Sequence, residues 1–384
     1  MSATTNIAIT PGDGIGPEVV NQAVNCLTLL RQRFKLDLDW HPFPWPSHRW
    51  HQQHGESMPA DALEQLGAFD AILLGALGDP GPVTDHNRYL LSDSVSLAPL
   101  LQIRKGFDQW VCERPARLLP GARQYLADDR ARDIDMLVIR ENSEGEYVSQ
   151  GGRLRQGTPH EVATQIEVFT HFASERIIRY GFEQARARAI QRQQHHQTRQ
   201  FQTLDGRVCD SQVCLVTKRN ALRYWGDLYT EVFERMSLEY PDVATHHELV
   251  DAACMKFVQS PWAFDVVVAS NLQGDILTDL AAVLSGGMGV APSCNLNPTD
   301  PTMPSMFEPT HGSAPDIAGQ GLADPTAMLF TTARMLDWLA HKDPIMAAAG
   351  LALFEATAAD LAQHGGKRRS TAEIGAAVCA RLKA

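Results

Sequence analysis

The chain reads as an α/β protein built on a mainly parallel sheet with helices on both faces. Three observations predict this. Short apolar runs at residues 6–10, 69–74, 134–139, 213–217 and 264–269 read as buried strands. Segments of helical spacing alternate with them, as they do in parallel sheets covered on both sides. The 384 residues exceed what one hydrophobic core usually serves, so two domains or two lobes are expected.

Taken in order, the strand at 6–10 runs into a glycine-rich turn, Pro11-Gly-Asp-Gly-Ile-Gly16. Pro17 and Glu18 then open a helix, with proline at its first position and an acid in its first turn. Residues 36–40 alternate like a second strand, and the Trp-, His- and Pro-rich residues 41–54 read as a loop. Residues 60–66 look helical, and the strand at 69–74 ends in Gly75-Ala-Leu-Gly78. Helical spacing continues through 163–188 and returns at 323–339 and 345–361. Residues 191–200 have almost no apolar side chain and read as an exposed loop or a helix extension. His195 and His196 fall there and read as part of a solvated tract rather than as metal ligands.

Gly12, Gly14 and Gly16 after a strand invite comparison with the dinucleotide-binding Gly-x-Gly-x-x-Gly turn, and Asp39 lies near the end of the next strand. Pro17, however, takes the place of the third glycine, whose role is close helix–strand packing. The turn therefore predicts a tight strand-to-helix corner and not a Rossmann fold.

The most informative stretch is Asn271-Leu-Gln-Gly-Asp275-Ile-Leu-Thr-Asp279, directly after a buried strand. The Gly-Asp step reads as the turn into a helix, and residues i and i+4 of a helix share a face. Asp275 and Asp279 would then project together at the carboxyl end of a strand, where open α/β sheets place ligands. Two hard oxygen ligands there suit Mg²⁺ or Mn²⁺. A capping Asp followed by a solvated Asp is the alternative, and the pair alone leaves both open.

Composition excludes several classes. No apolar run is long enough to span a bilayer, and the first residues lack the basic start and apolar stretch of a signal peptide. Seven scattered cysteines without a Cys-x-x-Cys argue against a disulfide framework and fit a reducing, cytoplasmic setting. A net charge of −11 suits neither nucleic-acid nor membrane-surface binding. An anionic substrate would require arginines concentrated locally.

Eight motifs then occur in order along nearly the whole chain. They are Pro11 to Glu18, Leu100-Leu-Gln-Ile-Arg104 and Arg114-Pro-Ala, Arg140-Glu-Asn-Ser-Glu-Gly-Glu-Tyr147, Lys218-Arg-Asn220, Val250-Asp-Ala, Asn271 to Asp279, and Phe307-Glu-Pro-Thr-His-Gly-Ser-Ala-Pro-Asp-Ile-Ala-Gly319. Together they resemble the metal-dependent β-decarboxylating dehydrogenases, the isocitrate/isopropylmalate dehydrogenase family. The local wording at Phe43-Pro-Trp45, Arg104 to Gln109 and Arg114 to Gly121 is most similar to the tartrate/D-malate branch.

The resemblance implies an isopropylmalate dehydrogenase-like two-domain fold. Residues 1–109 and 286–384 would form a discontinuous cofactor-side domain, and residues 110–285 a second domain with the dimer interface. It implies a homodimer with shared active sites lying between the lobes. Arg104, Arg114 and Arg140 match the substrate arginines, whose forks suit carboxylates. Asp275 and Asp279 match metal ligands, joined by Asp251 from the partner subunit. Lys218, also from the partner, matches the acid–base group at the substrate hydroxyl, and Tyr147 the group that protonates the enolate carbon. His311, Gly312, Ser313, Ala314 and Asp316 match the adenosine-binding loop, with Asp324 nearby, and Asn220 and Glu308 lie at nicotinamide-side positions. Asp316 would repel a 2′-phosphate, so NAD is the expected cofactor, with Mg²⁺ or Mn²⁺, and K⁺ as a further candidate.

The expected reaction is oxidation, with decarboxylation, of a malate-type 2-hydroxy diacid. Tartrate or D-malate comes first. A 3-substituted malate such as 3-isopropylmalate comes second, because Leu100 and Leu101 could line an apolar pocket, and isocitrate comes third. A non-catalytic regulatory or binding homologue is the alternative of another class. Five features depart from the family's pattern: Gln273 beside the metal turn, Asp324 in place of an asparagine, Cys112-Glu113 before Arg114, the long link at 87–99, and the Gln/His-rich tract at 191–200 as an insertion between helix and strand.

Overall fold

Backbone contacts divide the chain into two units: residues 1–109, 114–134 and 282–384 in one, and residues 110–113 and 135–281 in the other. The computed structural model describes residues 4–78, 97–203 and 205–383, so residues 87–96 of the long link lie outside the described part.

In the first unit, Thr5–Gly12 runs parallel to both Leu38–Pro42 and Ala71–Ala76, with Ile7 opposite Trp40 on one side and Ala71 on the other. Ser305–Pro309 continues the sheet parallel to Ala71–Ala76 and pairs antiparallel with Pro292–Leu296. All six residues of Ala71–Ala76 are buried, which is why this strand reads as an uninterrupted apolar run. The glycine-rich turn is a tight corner, as expected. A Cβ on Gly12 would lie 2.0 Å from the Ala76 carbonyl oxygen, and one on Gly14 1.9 Å from that of Ser313. The helix it opens, Gly16–Phe34, buries Val19, Val20, Ala23, Cys26, Leu27 and Leu30.

One expectation needs correction. By length and composition the helix Ile345–His364 could cross a bilayer. Its alanine-rich sequence serves helix packing instead. Gly350 lets it press on Thr326–Trp338, where an added Cβ would stand 2.7 Å from the Ala333 carbonyl oxygen. Its buried Asp360 pairs with Arg369.

The second unit has the strand order Ala244–Leu249, Gln212–Thr217, Val266–Ala269, Asp135–Glu141, all parallel. The helix His171–Gln194 lies so close to the sheet that a Cβ on Gly181 would meet Val268 Cγ2 at 2.4 Å. Asp265, fully buried, accepts from Arg188 Nε at 2.8 Å and from both Arg192 terminal nitrogens at 2.9 Å.

Elsewhere the elements differ from the sequence reading for identifiable reasons. Within the expected loop 41–54, His48–His54 is a helix capped by Ser47, whose Oγ accepts from the Trp50 amide at 3.1 Å. The helix buries no residue, so it carries no apolar periodicity. Residues 163–165, expected to be helical, belong to the strand Val162–Gln165, antiparallel to Gly151–Leu154. The helix starts only after Thr170, whose Oγ1 caps Ala173 N at 3.1 Å. It continues to Gln194, so the first part of the polar tract is a helix extension, held where Arg188 and Arg192 reach Asp265 from one face. The segment 114–134, placed in the second domain on the sequence, clusters with the first unit: Leu118 N donates to Ile134 O, and Gly121 abuts the Leu361 carbonyl.

Candidate active site

Asn271–Leu284 is a helix beginning at Asn271, so Gly274 lies in its first turn rather than before it. Asp275 and Asp279 are therefore both helical and one turn apart. Glu146 prepares this helix start: its carboxylate accepts from Ser270 Oγ at 2.6 Å and from the Leu272 amide at 3.0 Å. A carboxylate at a helix N-terminus satisfies orphan amides and complements the dipole.

Arg140 ends the strand Asp135–Glu141 and points at this helix. Its Nε and Nη2 donate to Asn271 Oδ1 at 2.9 and 2.7 Å, and its Nη1 donates to Asp275 Oδ1. Tyr147 donates from its hydroxyl to Asp275 Oδ2 at 3.1 Å, and its ring lies 5.2 Å from the Arg140 guanidinium carbon. Three sequence-predicted residues thus meet at one carboxylate. Gly274 makes room for them, since a Cβ there would stand 2.7 Å from Arg140 Cβ and 2.9 Å from its Cγ. Gly274→Ala is accordingly expected to displace Arg140, an overpacking cost of about 1–3 kcal/mol. Steady-state kinetics on the folded variant should show a KM for the acidic substrate raised by roughly ten- to a hundredfold.

Asp275 is half-buried and Asp279 exposed, so both carboxylates remain reachable. Hard, charged oxygens one helical turn apart fit a divalent cation of the Mg²⁺ or Mn²⁺ type, with coordination positions left for other oxygens. Among the described residues no three His, Cys, Asp or Glu side chains are placed to hold a metal ion together. Asp251 is not brought to Asp275 and Asp279 within the single chain. It accepts from Lys218 Nζ at 2.8 Å, and this bond holds its carboxyl below the usual carboxylate range. Asn220 lines an open cavity of about 630 Å³ with Arg219, Arg223, Asp227, His247 and Leu249.

The first unit carries the other predicted residues. Arg104, buried, donates from Nη2 to Glu308 Oε1 at 2.8 Å, and Asn295 Nδ2 donates to the same oxygen at 2.8 Å. Arg114 Nε donates to Ser293 Oγ at 3.4 Å. Glu113, next to Arg114 on the strand Val111–Arg117, accepts from the Tyr180 hydroxyl at 2.7 Å. Leu100 packs against the core around Phe43, Trp45, Ile103 and Phe107, and Leu101 is half-buried.

The loop after Ser305–Pro309 holds His311 to Asp316. His311 Nδ1 lies 3.0 Å from the Gly312 carbonyl oxygen and so donates to it. Its Nε2 is buried without a hydrogen-bond partner. Burial lowers the His311 pKa, which keeps the ring neutral and leaves Nε2 a bare acceptor. Around it, Gly312 has open space, Ser313 is buried against the glycine-rich turn, Ala314 has φ 41°, and Asp316 is exposed. Asp324 accepts from Thr326 N at 2.9 Å, just before the helix Thr326–Trp338. An orphaned acceptor beside small residues and an exposed carboxylate fits an adenosine, which offers an amine donor and ribose hydroxyls. A ring-proton NMR titration should place the His311 midpoint below the ordinary histidine range. Because its folded value is lowered, this group withdraws stability as pH falls below the unfolded value.

Asn271, Glu146 and Asn295 are supporting residues that the sequence did not single out. Asn271 had a signal, its position at the start of the helix motif. Asn295 had none beyond strand alternation.

The comparisons with known proteins show the family. The isocitrate/isopropylmalate dehydrogenase family profile matches residues 6–378. The chain is 44% identical over 386 residues to the 3-isopropylmalate dehydrogenase of Thermobifida fusca, across 100% of this chain and 99% of that protein. It is 43% identical over 344 residues to the decarboxylating D-malate dehydrogenase of Escherichia coli, across 89% and 87% of the two chains. The crystal structure of isocitrate dehydrogenase from Methylococcus capsulatus superposes with a TM-score of 0.78 at 28% identity, covering 99% of this chain and 100% of that one. The chain therefore belongs to the isocitrate/isopropylmalate dehydrogenase family.

Proposed function

We propose that this protein is an NAD-dependent, divalent-metal-dependent dehydrogenase that oxidises and decarboxylates a malate-type 2-hydroxy diacid, working as a homodimer. The carrying observation is the cluster in which Arg140, Tyr147 and Asp275 converge. A guanidinium for a carboxylate, a phenol for proton delivery and a carboxylate for a cation are the groups such a reaction needs. Mg²⁺ or Mn²⁺ on Asp275 and Asp279 would polarise the hydroxyl and stabilise the charge left after CO₂ departs.

Each residue has a part in this reading. Arg104, Arg114 and Arg140 hold the two carboxylates. Lys218, contributed with Asp251 by the neighbouring subunit, takes the hydroxyl proton, and Tyr147 returns one to carbon. His311 and the 312–316 loop hold the adenosine, with Asp316 on the ribose favouring NAD over NADP. Glu308 and Asn220 act on the nicotinamide side.

D-Malate or tartrate is the preferred substrate. The wording of the motifs at Phe43-Pro-Trp45, Arg104 to Gln109 and Arg114 to Gly121 supports this order, while Leu100 and Leu101, both half-buried, stay able to line an apolar pocket. A second reading, 3-isopropylmalate, is favoured by the names of several relatives, the Thermobifida fusca protein among them. Comparing kcat/KM for D-malate, the tartrates, 3-isopropylmalate and isocitrate, with NAD and NADP and with or without K⁺, decides between them. Higher efficiency for 3-isopropylmalate than for D-malate and the tartrates would overturn the first reading.

A further inference from the structure

The helix Gly16–Phe34 and the last helix, Thr371–Lys383, carry two thiols that take no part in the site above. Cys26 Sγ and Cys379 Sγ stand 3.6 Å apart. Cys26 is fully buried, whereas Cys379 is half-buried and partly open to solvent. We propose that Cys26 and Cys379 form a redox modification site at which a small hydroperoxide converts the two thiols reversibly into a disulfide joining these helices.

The geometry asks for little movement. A disulfide needs sulfurs about 2 Å apart, so closing the gap takes a shift of about 1.5 Å. The two thiols also differ in reactivity. The hydrogen bond from Cys26, and then the Lys383 ammonium, push the Cys379 pKa down against the effect of burial. The same bond and burial push that of Cys26 up. Thiolate character therefore gathers on the sulfur that solvent can reach, and the thiolate is the reactive form.

The steps balance. The Cys379 thiolate attacks one peroxide oxygen, forming an S–O bond as the O–O bond breaks, and an alcohol or water leaves. Cys379 is now a sulfenic acid, and the peroxide has been reduced. Cys26 sulfur attacks that sulfur, an S–S bond forms and the S–O bond breaks. The Cys26 proton departs with the hydroxyl as water. Two thiols and one hydroperoxide thus give one disulfide, one alcohol and one water.

The helices being joined hold the same stretch of chain. Glu18 accepts from Gly319 N at 2.5 Å, while Thr371 N donates to Gly321 O at 2.9 Å and Thr371 Oγ1 to Ala323 O at 2.6 Å. The cross-link would clamp residues 319–323, just beyond the loop at 311–316.

The test uses the purified full-length protein and a slight excess of hydrogen peroxide. The protein is then denatured, alkylated with N-ethylmaleimide, digested and examined by mass spectrometry. The expected result is a peptide pair linked through Cys26 and Cys379, two hydrogens lighter than the reduced pair and absent after dithiothreitol, with the other cysteines alkylated. In Cys26→Ser the link should vanish and dimedone should label Cys379. In Cys379→Ser, a change at a half-buried position, Cys26 should stay reduced. Full alkylation of both cysteines after peroxide, or oxidation of Cys26 in Cys379→Ser, would overturn the proposal. None of these readouts depends on the substrate or cofactor assigned above.

Discussion

Asp275→Asn is expected to abolish tight Mn²⁺ binding and to lower kcat by about a thousandfold, corresponding to several kcal/mol of lost charge stabilisation. Asparagine keeps the volume and one oxygen but not the charge. The fold should survive, because Arg140 retains both hydrogen bonds to Asn271, and Glu146 still caps the helix. Asp275 is also partly exposed, so little desolvation is at stake. A Mn²⁺ titration followed by electron paramagnetic resonance separates the metal effect from turnover. Unchanged Mn²⁺ affinity in a folded Asp275→Asn would remove this carboxylate from the metal site.

Asp265→Asn is expected to be the most destabilising of the conservative changes. Asp265 is fully buried and neutralises Arg188 and Arg192 together, while the Gln212 amide points to it at 3.3 Å. Removing one partner of a buried ion pair leaves charge without compensation and costs about 3–5 kcal/mol. In a chain of this size that is roughly 4–6 °C in the unfolding midpoint. The cluster joins the helix His171–Gln194 to the start of the strand Val266–Ala269, so the loss should appear in the second unit first. Differential scanning calorimetry measures it, and a midpoint within about 1 °C of the parent would show that the arginines find other partners.

Much of the architecture was legible because it rests on local patterns. Buried parallel strands write themselves as apolar runs, and Ala71–Ala76 and Val266–Ala269 are buried throughout. The Arg140, Tyr147 and Asp275 cluster was legible as three residues of two motifs at matched places, although only the fold brings them to one carboxylate. The short helix His48–His54 was hidden because it buries no side chain. The start of His171–Gln194 was misplaced because its signal is a capping threonine rather than an apolar period. Partners such as Asn295 for Glu308, or Asp265 for Arg192, lie on different elements and leave no local trace.

The central claim is a metal-dependent oxidative decarboxylation of a malate-type diacid with NAD. The most direct measurement follows NADH formation and CO₂ release together on purified protein with D-malate, the tartrates and 3-isopropylmalate, in Mn²⁺ and again with EDTA. The account predicts equal amounts of NADH and CO₂ from at least one diacid, and neither product once EDTA is present. NADH formation that persists in EDTA, or no product from any of these diacids by a folded protein that binds Mn²⁺, would contradict it.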